Sequence, residues 1–507
     1  MMKPLLILVA LLGAFALFAQ DLTPIKWGAE FPLARGNESN YRLESSSADG
    51  YQLWLEPERA PAALLDFEHT HRVRQTQVLR NLYRIPNLDF QDLIIGKRDT
   101  LACFAAYDKE LQMQTLFTAP YRNRKLGALR PAFTFAIPEA WSSSPVQSVQ
   151  DNQFRTSPTL YQSPERTHFV YIKAFRPPGS KSHSVYMVAV FDENGEHQWH
   201  RQIDRSSSAE FITGLDVEIN DLGEVMILAQ LQASRNFALA QGTPHIAGYR
   251  MQLFQCTPDT THDVDIYPEP GIVPLNSRLH LPPGQTDQLM IVGLYQDLTT
   301  PLINDGFYIK RIQLGQAIFT ADYYPFSRFT LTNNSGTKSW ENRLVLRDYF
   351  QLSDGSFGVV AEVAYALTSP GPTSNTAYLS HQVLIPMFNA EGHLQRISTL
   401  DKFLMADDYA LSSYGLGVGE DQLHFVYNER GQSLRTKVPD LEIKSKGLGT
   451  VLQTLNADGS WSKPQVLAVH KDLKHEPLPQ GAIFTEDYCF FPAESPKNVS
   501  IGTVSLK

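Results

Sequence analysis

One local pattern recurs along this chain and limits what it can fold into. An apolar strand is followed by a short turn ending in glycine, and then by a second strand. The pattern reads Phe191-Asp192-Glu193-Asn194-Gly195, Phe388-Asn389-Ala390-Glu391-Gly392 and Leu455-Asn456-Ala457-Asp458-Gly459. Asp and Asn side chains bond their own backbone in such turns, and glycine takes the left-handed conformation, so each copy reads as a hairpin. Weaker copies follow Phe67, Tyr107 (then Asp108-Lys109-Glu110), Phe254 and Ile312. A second ladder of apolar strands precedes the first, at residues 224–231, 287–294, 355–363 and 421–427, with related runs near Tyr51, Asp92, Thr167 and Ala482. Strands also follow the turns, at 197–203, 316–321, 394–400 and 461–469. Helical periodicity is nearly absent. The best helix candidate, 61–82, also reads as a hairpin turning near His69-Thr70, and that reading keeps the repeat.

Two ladders of strands in constant order are an internal repeat, and many short strands with few helices mean all-β. A sheet must hide its edges, and a ring of four-stranded blades does so. The expected fold is a single β-propeller of seven to eight four-stranded blades. The last unit, from Ala482 to the strand at 501–506, lacks an outer strand, which residues 25–33 at the other end can supply. A parallel solenoid would need coils of about 20–30 residues, shorter than these units. Long loops at 120–165, 232–247, 327–347, 366–380 and 430–448 take up the remaining length. The most basic short run, Arg122, Arg124, Lys125 and Arg130, reads as part of a solvated loop.

Residues 1–19 read as a signal peptide: Lys3, an uncharged apolar stretch over 5–18, and Ala19 before Gln20. Leu17 is larger than the residue usual three places before a cut. The stretch is short of the roughly 20 apolar residues of a membrane span. The expectation is an exported chain, periplasmic or secreted, with a propeller over 20–507. Its 53 Asp and Glu exceed its 44 Lys and Arg, for a net charge of -9, which argues against a nucleic-acid partner. Cys103, Cys256 and Cys489 sit in apolar stretches without a CxxC. They read as buried strand thiols, although export permits one disulfide.

The segments Ser412-Ser413-Tyr414 and Asp421-Gln422-Leu423-His424-Phe425-Val426-Tyr427-Asn428, downstream of residues 381–394, carry a resemblance. The pattern resembles uncharacterised exported propeller-like proteins of Bacteroidetes-type bacteria and spans roughly residues 166–470. Trp199 and Trp461 keep an aromatic after the turn, and the other units depart from it. The resemblance implies the propeller and brings no catalytic residue.

No local motif names a chemistry. There is no HExxH and no cysteine pair at ligand spacing. His69 and His71 would share one face of a strand, but no third ligand accompanies them. The turns at 192–195 and 456–459 lack the spaced oxygens of a calcium loop. No GxSxG elbow exists. Ser335-Gly336-Thr337-Lys338 matches SxxK, but in an Asn/Gly loop. Ser47-Ala48-Asp49-Gly50-Tyr51-Gln52-Leu53-Trp54 approaches a sialidase-type Asp box with its glycine one place early. Asp407-Asp408 and Glu486-Asp487 are adjacent, so on a strand they point to opposite faces and form no catalytic dyad. Tyr41 and Tyr323-Tyr324-Pro325-Phe326 are candidates for an exposed stacking surface against a core role.

The expected function is therefore a non-enzymatic binding or scaffolding propeller for an envelope protein, peptide or glycan, with no cofactor or metal and no assignable catalytic residue. The alternative is a hydrolase or lyase acting on polysaccharide, its groups gathered at the funnel from different blades. Convergent Asp, Glu, His or Arg at the funnel would favour the second.

Overall fold

Hairpin after hairpin, the repeat builds eight antiparallel sheets in a computed structural model. It describes residues 25–32, 41–47, 50–55, 63–85, 88–97, 99–137, 142–144, 160–176, 185–204, 211–232, 250–266, 269–282, 284–285, 288–300, 305–314, 318–326, 344–368, 376–407, 409–438, 443–444, 447–470, 475–495 and 498–506. Blades 1 to 8 follow chain order. Blade 4 shows the plan: an inner strand Phe211–Ile219, then Val225–Gln232, Arg250–Cys256 and an outer strand Thr261–Ile266, each paired with the next. Inner strands of neighbouring blades adjoin, as Phe211–Ile219 adjoins Ile272–His280, which in turn adjoins Leu344–Gln351. They surround the axis of the propeller.

Among the described residues, eight apolar clusters fill the eight junctions. Val190 and Ile227 share one between blades 3 and 4, and Leu53 and Phe490 share one between blades 1 and 8. A strand packed between two junctions is buried on both faces. That explains why second and third strands such as Val185–Asp192 read as continuous apolar runs.

The turn glycine serves this packing as well as the turn. Gly195 has φ +81°, and Asp192 Oδ1 accepts from the backbone N of Asn194 and of Glu196, both at 2.9 Å. A Cβ at Gly392, also at φ +81°, would lie 2.7 Å from Ile309 Cδ1 of blade 5. The repeated glycine sits where one blade's turn presses on its neighbour.

Chain ends close the ring as the sequence leads one to expect. Lys26–Trp27 pairs with Thr503 and Gly502, and Phe31–Pro32 pairs with Val499 and Asn498, all on the strand Asn498–Ser505. The N-terminal residues thus supply the outer strand of blade 8. The hairpin chosen for 61–82 is present as Ala63–Glu68 and Val73–Val78, with only Leu79–Leu82 helical. Among the described residues no helix is long and apolar enough to cross a membrane.

Three details differ from expectation. In blade 2 the ladder is displaced by one strand: Leu93 lies on the inner strand Asp89–Ile95 and Tyr107 on the second, Thr100–Asp108. Ile483 likewise lies on the inner pair Ile483–Phe484 of blade 8. An Asx turn suits any hairpin of a blade, so turn chemistry alone does not say which hairpin it closes. The supposed loop 120–165 contains the outer strand of blade 2, Arg130–Ala136, and the inner strand of blade 3, Leu160–Gln162. An outer edge tolerates Arg130 and Pro131, which disguised it. The loop at 430–448 contains the helix Gly431–Lys437.

Candidate functional site at the propeller axis

Inner strands carry the ionisable groups that local motifs did not reveal. Asp216 and Glu218 alternate with buried Val217 and Ile219 on the inner strand of blade 4, so the two carboxyls share a face. On blade 5, Arg278 and His280 flank buried Leu279. On blade 6, Arg347 and Tyr349 stand two apart. A register shift interrupts the pairing of each of these inner strands with its neighbour, between Ile212 and Gly214, Leu275 and Ser277, and Leu346 and Asp348. Blades 1 and 2 have the same irregularity at Ser45/Ser47 and Phe90/Asp92. Such bulges re-aim the side chains that follow them.

Blades 3 to 6 bring these groups together. Arg278 Nη1 lies 3.2 Å from Asp216 Oδ1, and the Leu279 amide donates to Asp216 Oδ2 at 2.6 Å. Arg278 Nη2 reaches the Arg347 carbonyl at 3.4 Å. Asp216 therefore spends both oxygens on holding blade 5. Glu218 accepts no hydrogen bond among the described residues, and it is half-buried. Enclosure pushes its pKa up to about 8; the nearby Asp216 charge adds to the rise and Arg278 opposes it. Tyr161 of blade 3 and Tyr349 of blade 6 both feel these carboxylates, and burial first, then the carboxylate charges, raises both phenols. The Tyr349 hydroxyl bonds His280 Nδ1. His280 is only 1% exposed, stacks on Phe357 at 4.0 Å, and is pushed down to about 4 by burial. Burial raises Asp216 as well, against the Arg278 charge, so enclosure at this part of the axis favours the neutral forms of both carboxyls and of the imidazole.

A second cluster joins blade 6 to the segment leading into blade 7. Glu362 accepts from Lys402 Nζ at 2.7 Å, Tyr409 at 2.8 Å and Ser413 at 3.0 Å, and also from Ser380. Lys402 donates further to Ser380 and to the Ser412 carbonyl. Arg347 bonds the Tyr409 hydroxyl. Burial alone would raise Glu362, but Lys402 and Arg347 hold it below the usual carboxylate range. Its acceptor sites are full and it is wholly buried, so this cluster locks the fold and offers nothing to a ligand.

The residues singled out from sequence lie elsewhere. His69 and His71 do not share a strand face. Both sit in the turn between strands, His71 at φ +64°, and His69 stacks on Tyr488 at 4.6 Å. His71 bonds Tyr51, the Lys26 carbonyl and Thr503. Asp407 and Glu486 are exposed on irregular segments; Asp408 lies outside the described residues. So do Ser335, Lys338, Ala48 and Asp49. Tyr323 and Tyr324 pack on Tyr295 and Phe388, and Phe326 is buried, so this group belongs to the core; the side chain of Tyr41 lies outside the description. In the basic run, Arg122 pairs with Asp99, and Arg124 lies 3.4 Å from buried Asp66. The three cysteines are free and buried in their strands.

No family model and no curated protein sequence matches the chain. Among solved structures, the WD40 domain of SCAP from fission yeast is similar at 7% identity over 95% of each chain, with a TM-score of 0.41. The β-propeller domain of the Trilobed protease from Pyrococcus furiosus is similar at 7% identity over 87% of this chain and 96% of its own, with a TM-score of 0.35. The polysaccharide lyase Uly1 is similar at 8% identity over 83% and 90%, with a TM-score of 0.35.

Proposed function

We propose that the chain is an exported binding propeller that receives a segment of an envelope protein, peptide or glycan at the axis, on blades 3 to 6. The N-terminal signal-like sequence supports export. The observation that carries the binding site is Glu218: a half-buried carboxyl on the inner strand of blade 4, on the same face as Asp216, with a charge felt by the phenols of Tyr161 and Tyr349 and no hydrogen-bond partner among the described residues. A polar group placed so is costly unless something satisfies it, and water or a ligand at the axis is the available partner. The nearby groups are either committed to each other or neutral, a composition that suits hydrogen bonding and stacking more than turnover. The test is to probe peptide and glycan arrays with the mature chain and with Glu218→Gln and Tyr349→Phe. Hits weakened by both substitutions support the reading; hits indifferent to both overturn this placement.

One observation favours the enzyme alternative. A carboxyl near pKa 8 is protonated at neutral pH, as a general acid must be. Asp216 is held by Arg278 and Leu279, so Glu218 would have to act without it as a free second carboxylate. Depolymerisation of a polysaccharide panel, lost in Glu218→Gln, would establish this reading instead.

A further inference from the structure

We propose that a cleft between blades 5 and 6 is a second binding site, separate from the axis, and that it takes a neutral saccharide.

The cleft has a volume of about 520 Å3, a size usual for small-molecule sites. One wall is the first hairpin turn of blade 5, with Pro282 and Gln285, and the start of the strand Gln288–Asp297. The other wall is two turns of blade 6, one at Gly355 and one at residues 390–393. None of these residues belongs to the axial cluster. Pro282 and Met290 are buried and give the cleft an apolar floor.

The blade 6 turns are fixed before any ligand arrives. Arg311 of blade 5 donates from Nε to the Glu391 carbonyl and from Nη2 to the Gly392 carbonyl, both at 2.8 Å. Its Nη1 lies 2.8 Å from Asp322 Oδ2. In the other turn, Ser353 donates from its backbone N to the Glu420 carbonyl at 3.2 Å and from its hydroxyl to Asp421 at 2.9 Å. A rim held this way loses little freedom on binding.

The side chains on this rim are not committed. Gln285, Gln288 and the Glu391 carboxylate have no hydrogen-bond partner among the described residues. His393 Nδ1 lies 3.4 Å from Arg311 Nη2. A guanidinium only donates, so Nδ1 accepts and the ring hydrogen sits on Nε2. What remains is two amides that donate and accept, a carboxylate that accepts twice, and one ring N–H. A sugar hydroxyl also donates and accepts through one oxygen, and two adjacent hydroxyls can share a carboxylate. An anionic ligand would find no free cation, because Arg311 is spent on Asp322 and two carbonyls, and Glu391 would repel it. A cation would find one carboxylate beside that guanidinium. A neutral ligand avoids both costs, and its C–H groups suit the Met290 and Pro282 floor. No aromatic side chain lines the cleft among the described residues, so hydrogen bonds rather than stacking select the ligand.

Calorimetry on the mature chain tests this with cellohexaose, xylohexaose, maltohexaose and mannohexaose, and with an oligogalacturonate of equal length as the acidic counterpart. At least one neutral probe is expected to bind, and the acidic one at least ~10-fold more weakly. Glu391→Ala removes the carboxylate. Ala390→Gln narrows the cleft, and blade 3 carries Glu193 at the equivalent place of its turn, so the turn accepts a longer side chain. Each should weaken the neutral probe ~10-fold, about the worth of one or two lost hydrogen bonds, while keeping the parent's urea midpoint. Glu218→Gln should leave this binding unchanged. Silence with all four neutral probes, or equal affinity for the acidic one, overturns the proposal. Saccharide binding lost in Glu218→Gln but indifferent to Glu391→Ala and Ala390→Gln would overturn the cleft while supporting the axis. Peptide-array hits lost in Ala390→Gln, with no saccharide bound, would overturn the saccharide as occupant.

Discussion

Lys402 Nζ lies 2.7 Å from Glu362 Oε1, and neither side chain has any exposure to solvent. The pair ties the second strand of blade 6 to the chain that leads into blade 7. Two charges removed from water must be fully satisfied by protein, and here Ser380, Tyr409, Ser413 and the Ser412 carbonyl complete the set. Removing one partner strands the other. Lys402→Met is expected to destabilise the chain by about 3–5 kcal/mol, while Glu362→Leu combined with Lys402→Met should cost less than the sum of the two single changes. Urea unfolding of the three variants decides it; additive losses would show that the charges act independently.

Glu218 gives a pH signature of the opposite kind. Its pKa in the fold is raised to about 8 from an unfolded value near 4.3. A raised carboxyl contributes full stability below about pH 4.3, and that contribution is lost as pH rises towards 8, because the unfolded chain ionises first. Glu218→Gln removes the titration. The variant should therefore gain stability relative to the parent steadily between pH 4.5 and 8, and the difference should level off above that. A constant difference in urea midpoints at pH 5, 6.5 and 8 would mean that Glu218 is not enclosed.

The N-terminal strand should be as important to stability as its position implies. His71 bonds the Lys26 carbonyl and Thr503, and so joins blade 1 to both strands of the closing seam. A Cβ on Gly28 would lie 2.8 Å from the His71 ring nitrogen. Gly28→Ala must therefore push the ring or the strand aside, at a cost of about 1–3 kcal/mol. Hydrogen exchange should report the loss first at residues 26–32 and 498–505. Uniform exchange across all eight blades would show that the ring opens elsewhere.

The architecture was legible because each blade repeats two local requirements: an apolar run buried on both faces, and a turn that needs Asn or Asp with glycine. Gly195 and Gly392 satisfy the turn and the neighbouring blade together, which keeps the signal strong. Arg130–Ala136 was missed because an outer edge imposes neither requirement. The axial cluster was illegible for a different reason. Asp216, Arg278 and Tyr349 meet only because three inner strands adjoin, more than sixty residues apart in sequence. A signal did exist: each inner strand holds a polar-x-polar pair, Asp216/Glu218, Arg278/His280 and Arg347/Tyr349, just ahead of a glycine turn. Those pairs recur at the same point of the repeat.

The cysteines offer a last test of how closed the junctions are. Cys103, Cys256 and Cys489 lie in three different inter-blade clusters, and all are free. Burial raises each thiol, Cys256 to about 11 and the other two further. Only the thiolate attacks a disulfide reagent, so at pH 8 both access and ionisation oppose reaction. The folded chain should show no fast-reacting thiol towards Ellman's reagent, and three should appear together on unfolding in urea. Early release of one thiol at low urea would identify its junction as the weakest: blades 2 and 3 for Cys103, 3 and 4 for Cys256, 7 and 8 for Cys489. If the closing strand governs stability, Gly28→Ala should advance Cys489, which shares a cluster with Trp27 and Phe491, before the other two.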